Sequence, residues 1–434
     1  MERLDIRSLE DWKNSDARKP ILIDGARQTG KTWLVEKLFA PSFRKVHSFD
    51  FRENKQLHEY FSESLEPGRV LDNLMLHVGE DFDLANDLIF FDEIGECQGA
   101  VDSLKYFADY ETPLYLCASG SNIGLLQSFP VGKVKVLNIW PMSFEEFLMA
   151  SGDTQALRAY REQSRLMAAH TKLWKYLLDY FYVGGMPEAV ASWFGHADAG
   201  INSRVEAVSQ VHSDLVQGYY RDFGKYSGHV DSMHIERVFN NVPVQLAKTL
   251  DNSVKRFVFK DVIPHKKRYL ELSTPIDWLC KTKLISKSFL VDSAPRSPLK
   301  SLIKENMFKL YFFDLGILGH ILEIGYQEQI AQKFIEKGFV AENFVQNELV
   351  RIFGNHTYFW SQGQSEIEFL LKVDDGSIVP VEVKSGKRTR AKSLMVYRDK
   401  YQPKKTIKLV GAAGGSSESE LVWPLYYASY LDRL

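Results

Sequence analysis

Cysteine is scarce in this chain: Cys97, Cys117 and Cys280 are the only three in 434 residues. An odd number, widely spaced and without a C-x-x-C pair, gives no disulfide framework and no zinc site, and fits a reducing cytosol. Long apolar runs are missing as well. No stretch reaches the roughly 18 apolar residues of a membrane-crossing helix. The amino terminus, Met1-Glu2-Arg3-Leu4-Asp5, carries acids where a signal peptide would have an apolar core. A cytoplasmic protein with no membrane partner is expected. Net charge is also small, at −2 from 54 basic and 56 acidic residues, so any nucleic-acid binding has to be local. Repeats and low-complexity tracts are absent, and domain boundaries must come from changes of pattern. A composition of 45% hydrophobic and 25% charged residues excludes a disordered or fibrous chain.

What is present begins with Gly25-Ala26-Arg27-Gln28-Thr29-Gly30-Lys31-Thr32, a match to G-x-x-x-x-G-K-[ST]. It lies between a strand-like run, Ile21-Leu22-Ile23, and a helix-patterned stretch from Thr32 to Phe39 that Pro41 closes. In this setting the loop amides surround a β-phosphate, Lys31 reaches the β/γ oxygens and Thr32 holds magnesium. A nucleoside triphosphate, ATP, with Mg2+ is the expected cofactor pair.

A second apolar strand, Leu88-Ile89-Phe90-Phe91, ends in Asp92-Glu93. Asp92 is placed to bind the magnesium and Glu93 to polarise the attacking water as general base. A third, Leu114 to Ala118, runs into Ser119-Gly120-Ser121-Asn122. Ser119 and Asn122 are both candidate sensors of the γ-phosphate, because ligands of open parallel sheets sit at the carboxyl ends of the strands.

The αβ alternation ends near Trp140-Pro141-Met142-Ser143, with Ser143 as the N-cap of a new helix. The spacing predicts an α/β multidomain chain: a P-loop domain over 1–150, a helical connector over 151–230, a winged-helix-like region over 231–326 and a mixed α/β domain over 327–434. From His234 to Ile285 three helices are expected, followed by wing strands at Lys287 to Val291 and Phe308 to Phe313. The basic cluster Lys255, Arg256, Lys260, Lys266, Lys267 and Arg268 either meets phosphates or forms a solvated or intersubunit face.

In the last segment a helix is expected from Ala331 to Phe353. Ser365 to Leu371 and Ile378 to Lys384 then read as strands flanking the turn Asp374-Asp375-Gly376. With Gly376 at the left-handed position, the register sets Glu368 opposite Glu382, with Lys384 on the same face. Facing like charges are unfavourable, and a divalent cation would relieve them. Glu342, on the preceding helix, can complete such a site; the alternative is a solvent-facing hairpin with ordinary surface charges. Lys387, Arg388, Arg390, Lys392, Arg398, Lys400, Lys404 and Lys405, interleaved with Tyr397 and Tyr401, either hold a phosphodiester backbone or solvate a surface helix.

Taken together, these stretches resemble the bacterial and archaeal family of AAA-type ATPases joined to a carboxyl-terminal domain of unknown function that ends in a PD-(D/E)xK nuclease-like fold. The resemblance also runs through Gly184-Gly185-Met186-Pro187, Lys309 to Gly316 and Ala341 to Leu349. It implies phosphate binding by Gly25 to Thr32, magnesium on Thr32 and Asp92, water activation by Glu93, and a nuclease-like architecture with metal ligands Glu342, Glu368 and Glu382. A homo-oligomer and DNA or RNA partners are the associated expectations. Two departures stand out: the family usually has aspartate at Glu368, and commonly Gly-Arg where this chain has Gly132-Lys133. Lysine cannot reproduce bidentate guanidinium contacts. Three readings follow: an ATP-driven switch or motor, an ATP-regulated nuclease, and a nucleotide-dependent binding module with a degenerate nuclease fold.

Overall fold

Both faces of the early strands are apolar, as a parallel sheet covered on each side requires. In the computed structural model, which describes residues 1–16, 18–126, 128–196, 199–227, 229–248, 256–331, 338–354, 356–386, 392–417 and 419–433, contacts divide the chain into two units, Met1–Trp140 and Pro141–Leu434.

The first unit holds β1 (Ile21–Gly25), β2 (Val46–Asp50), β3 (Leu88–Asp92), β4 (Tyr115–Gly120) and β5 (Lys135–Ile139), in the spatial order β2-β3-β4-β1-β5. Every pair is parallel. Alternate side chains point to opposite faces. Ile21, Ile23, Leu88, Phe90 and Cys117 therefore pack with Trp12, Leu34 and Val35, while Leu22, Ile89, Phe91, Leu116 and Ala118 pack with Leu57, Phe61 and Leu104. Parallel strands bring their carboxyl ends to one edge, and the order seats β4 between β1 and β3. The loops after these three strands thus meet. Beyond β1, the chain enters a helical turn, Lys31–Trp33, that continues as a π-helix, Leu34–Phe39.

The second unit opens with a helix, Phe144–Ala150, capped as its sequence predicts. Ser143 Oγ accepts from Glu146 N at 3.2 Å, and Glu146 Oε2 accepts from Ser143 N at 2.7 Å. Four helices follow up to Ser227: Thr154–Arg161, Met167–Val183, Pro187–Gly195 and Ile201–Ser227. Gly184-Gly185 separates two of them. Gly184 has φ +74°, and a Cβ on Gly185 would stand 2.2 Å from Met142 O, so only glycine fits there. Among the described residues, the stretch expected to hold three helices shows His229–Lys248 and Tyr269–Lys281, and 249–255 lie outside the described residues.

Strands β6 (Ile285–Val291) and β7 (Ile303–Phe312) pair antiparallel, as a wing would. The other edge of β6 pairs parallel with β8 (His356–Gln362), and β9 (Ser365–Ile367) pairs antiparallel with β8, so this hairpin belongs to a four-stranded sheet, β7-β6-β8-β9. A further sheet runs β10-β11-β12-β14-β13, from β10 (Phe369–Lys372), β11 (Ile378–Lys384), β12 (Thr406–Val410), β13 (Gly415–Ser416) and β14 (Glu420–Pro424). The single strand expected over Ser365 to Leu371 is thus broken at Glu368, where the chain crosses from one sheet to the other.

The long helix begins at Phe339, after Gly338 at φ +86°; 332–337 lie outside the described residues. It is pinned to the four-stranded sheet by buried amides. Asn343 exchanges hydrogen bonds of 2.8 Å with Phe312 N and Phe312 O, and Gln346 bridges Ser286 and Thr357 at 2.9 and 2.7 Å. Among the described residues, no helix is long and apolar enough to cross a membrane.

Candidate functional site

The loop after β1 is built around conformations that side chains resist. Gly30 has φ +89° and Gln28 φ +59°. A Cβ on Gly25 would come within 2.5 Å of Ile139 O. Buried Thr29 closes the loop by donating to Ala26 O at 2.8 Å, and Arg3 braces it from the amino terminus, with Nη1 2.6 Å from Thr29 O and Nη2 2.8 Å from Trp140 O. Lys31 folds back across the loop and donates to Gly25 O at 3.0 Å and Ala26 O at 2.9 Å. Arg27 is half-buried and Gln28 exposed.

Across the sheet edge, Thr32 Oγ1 donates to Asp92 Oδ2 at 2.7 Å. Ser119 Oγ donates to Asp92 Oδ1, as the β3–β4 register dictates: Phe91 lies opposite Ala118, so Asp92 faces Ser119. Hydroxyl, carboxylate and hydroxyl stand on one spot, an oxygen donor set that suits magnesium. Glu93 follows at φ +49°, and its carboxylate meets Arg52 Nη2 at 2.8 Å and the Ser121 hydroxyl at 3.3 Å. Asn122 is also left-handed, at φ +68°. Neither Arg3 nor Arg52 carries a motif signal, and Ser121 stands in the small polar run after β4 between the two residues singled out there. Arg52 becomes visible only once β2 is seen to lie beside β3. Lys133 pairs with Asp109 at 2.6 Å within its own unit.

The second unit gathers the acids expected in its last segment. The β10–β11 register runs from Phe369 opposite Val381 to Lys372 opposite Ile378, Glu368 and Glu382 each stand one residue beyond the Phe369–Val381 pair, and Gly376 in the turn has φ +77°. Lys384 Nζ lies 2.8 Å from Glu382 Oε1 and 3.5 Å from Glu368 Oε1. Glu368 Oε2 accepts from Val383 N at 3.0 Å and Glu382 Oε2 from Leu394 N at 3.1 Å. Glu342 stands in the first turn of the Phe339–Phe353 helix. It accepts from the Tyr311 hydroxyl and from Lys309 Nζ at 2.7 Å, and the same ammonium lies 2.5 Å from Glu366 Oε1.

Burial pushes the Glu368 carboxyl up to about 8; Lys384 opposes this and Glu382 and Glu342 add to it. Burial would pull the Lys309 ammonium down, but Glu342 and Glu366 outweigh it and hold the group well above its ordinary value. Lys309, Tyr311 and Glu366 were not anticipated as members of this cluster. Among the described residues, no three His, Cys, Asp or Glu side chains are placed to hold a metal ion.

Of the basic residues, Arg256, Lys260, Lys267 and Arg268 are exposed, Lys266 is half-buried, and Lys255 lies outside the described residues, as do Lys387, Arg388 and Arg390. Tyr397 is no stacking platform. It is 2% exposed and packs edge-on to Trp360, with ring centroids 5.3 Å apart.

Comparison with known proteins follows the two units. Residues 17–148 match the family described as an AAA domain. Residues 175–328 and 337–426 match two domains of unknown function, DUF8612 and DUF4143. No curated protein matches the chain. Among solved structures, C. elegans PCH-2 is 14% identical over 47% of this chain and 66% of its own, with a TM-score of 0.28. The Thermotoga maritima RuvB Holliday junction branch migration motor is 12% identical over 70% of this chain and 93% of its own, with a TM-score of 0.29. Drosophila ORC bound to DNA is 12% identical over 74% and 85%, with a TM-score of 0.28. The fold rests on the chain's own topology. The first unit is an AAA-type, ATPase-like domain, with a P-loop at the edge of a five-stranded parallel sheet.

Proposed function

We propose that the chain is an AAA-type ATPase that binds ATP with Mg2+ through Gly25 to Thr32 and hydrolyses it, coupling turnover to its second unit. The observation that carries the reading is the Thr32–Asp92 hydrogen bond of 2.7 Å, between residues sixty positions apart and beside the phosphate-loop lysine. Thr32 and Asp92 would hold the magnesium, which neutralises phosphate charge. Lys31, released from the carbonyls it now contacts, would turn to the β/γ oxygens. Ser119 would keep Asp92 in place and, with Asn122, sense the γ-phosphate, while Glu93 would take the proton of the attacking water.

The second unit is read as a helical connector (151–230), a winged-helix-like region (231–326) and a nuclease-like segment (327–434), after a nucleotide domain over 1–150. Exposed Arg256, Lys260, Lys267 and Arg268 support contact with DNA or RNA phosphates. Self-association and a cytoplasmic setting complete the reading, and the free state of all three cysteines is in keeping with the latter. The test is calorimetric titration of ATP with magnesium into the chain and into Lys31→Ala. Heat in the first and its loss in the second is expected; no heat with ATP or GTP in either would end the reading.

A further inference from the structure

Lys309 enters the acidic cluster from β7, on the same four-stranded sheet whose far edge, β9, carries Glu366. The residue is buried, and its side chain runs past the ring of Phe359 at 5.2 Å and delivers its ammonium between Glu342 and Glu366 at 2.7 and 2.5 Å. Lys384 does the same for Glu382 and Glu368 from β11. We infer that Lys309 takes the place of a divalent cation between Glu342 and Glu366, so that the acids of this cluster are closed off by the chain's own ammonium groups and do not form a metal centre.

The argument is one of donors and charge. Magnesium demands near-octahedral oxygen donors at about 2.0–2.1 Å. Glu368 Oε2 already accepts from Val383 N, with Lys384 Nζ 3.5 Å from its Oε1, and both oxygens of Glu382 are taken, by Lys384 Nζ at 2.8 Å and Leu394 N at 3.1 Å. Glu342 Oε1 accepts from Lys309 and Tyr311. A cation entering here must break several charge-assisted hydrogen bonds and push two ammonium groups aside, each strongly repelled by it. A buried carboxylate deprived of its partner is costly, so the cluster holds its lysine rather than exchanging it. Lys384 is the lysine of the E-x-K pattern on β11; Lys309 brings a second ammonium to the cluster from β7. With the site so closed, the segment would hold a nucleic acid without cutting it.

The experiment uses the full chain carrying Asp92→Asn, without nucleotide, so that the phosphate-loop site holds no metal, and Mn2+ as the probe; this chain is the wild type of the comparisons that follow. Wild type should show the same Tm in EDTA and in millimolar Mn2+, and no bound Mn2+ by electron paramagnetic resonance. Lys309→Met should unfold at a lower temperature and be rescued by several degrees on adding Mn2+, with the rescue lost in Lys309→Met/Glu368→Gln. Wild-type binding of Mn2+ that Glu382→Gln abolishes would overturn the inference, and this arm decides the matter alone if Lys309→Met does not fold. A Lys309→Met protein that folds but gains no Mn2+ response would overturn it equally. Loss of ATP binding would leave every arm unchanged.

Discussion

Arg52 holds Glu93 by an ion pair of 2.8 Å, so the carboxylate expected to activate water is engaged by a guanidinium from the segment after β2. Glu93→Gln should keep ATP binding and lose turnover by about 10²–10⁴-fold, the usual contribution of a positioned general base. Arg52→Ala should free the carboxylate and raise basal turnover with little change in ATP affinity. Steady-state phosphate release measures both, and equal rates for wild type and Glu93→Gln would remove Glu93 from the chemistry.

Lys31 supplies the ammonium nearest the loop carbonyls. Hydrogen bonds to charged groups are worth about 1.5–3 kcal/mol, so Lys31→Ala should weaken ATP binding at least tenfold. Thermal unfolding without nucleotide should stay near wild type, which separates lost affinity from lost folding.

Asp314 joins two glycine-bearing segments. Its Oδ2 accepts from Gly185 N at 2.6 Å and its Oδ1 from Ile317 N at 3.0 Å. Burial pushes its carboxyl up to about 6 from 3.8, against those hydrogen bonds. The native chain then binds this proton more tightly than the unfolded one. The stability contributed is fully present below the unfolded value and is lost as pH rises through the folded one. The Tm of wild type minus that of Asp314→Asn should therefore fall as pH goes from about 4 to about 7; a difference that grows with pH would refute the assignment.

Gly185→Ala would place a methyl group 2.2 Å from Met142 O, a backbone atom with no room to yield. Overpacking of this kind costs about 1–3 kcal/mol or more, so a clearly lowered Tm or insoluble expression is expected. Gly195→Ala, where nothing lies within 4 Å, is the control and should unfold like wild type.

If the winged-helix-like region meets DNA or RNA phosphates, Lys267→Ala and Arg268→Ala should each reduce the slope of log K against log salt by about 1. Filter binding across salt concentrations reads this. Binding without salt dependence would point to a protein partner.

The phosphate loop and Asp92-Glu93 were legible because each motif is local and flanked by its own strand. The register of the hairpin, Phe369 opposite Val381 through Lys372 opposite Ile378, was legible too, since a period of two and a glycine at positive φ leave little choice. What escaped was what arrives from a distance. Arg52, Lys309 and Tyr311 reach their carboxylates from strands or loops whose neighbours only the sheet order reveals. The break at Glu368 was equally hidden: Ser365 to Leu371 reads as one strand-like run, yet its two halves serve different sheets.

The strand β6 is bordered on one side by β7 and on the other by β8. Proteolysis near residue 327 would consequently not liberate two tidy halves. Each fragment would bare a raw row of amides and carbonyls, prone to sticking. The strands on either side of residue 327 belong to one hydrogen-bonded ribbon, β7-β6-β8-β9.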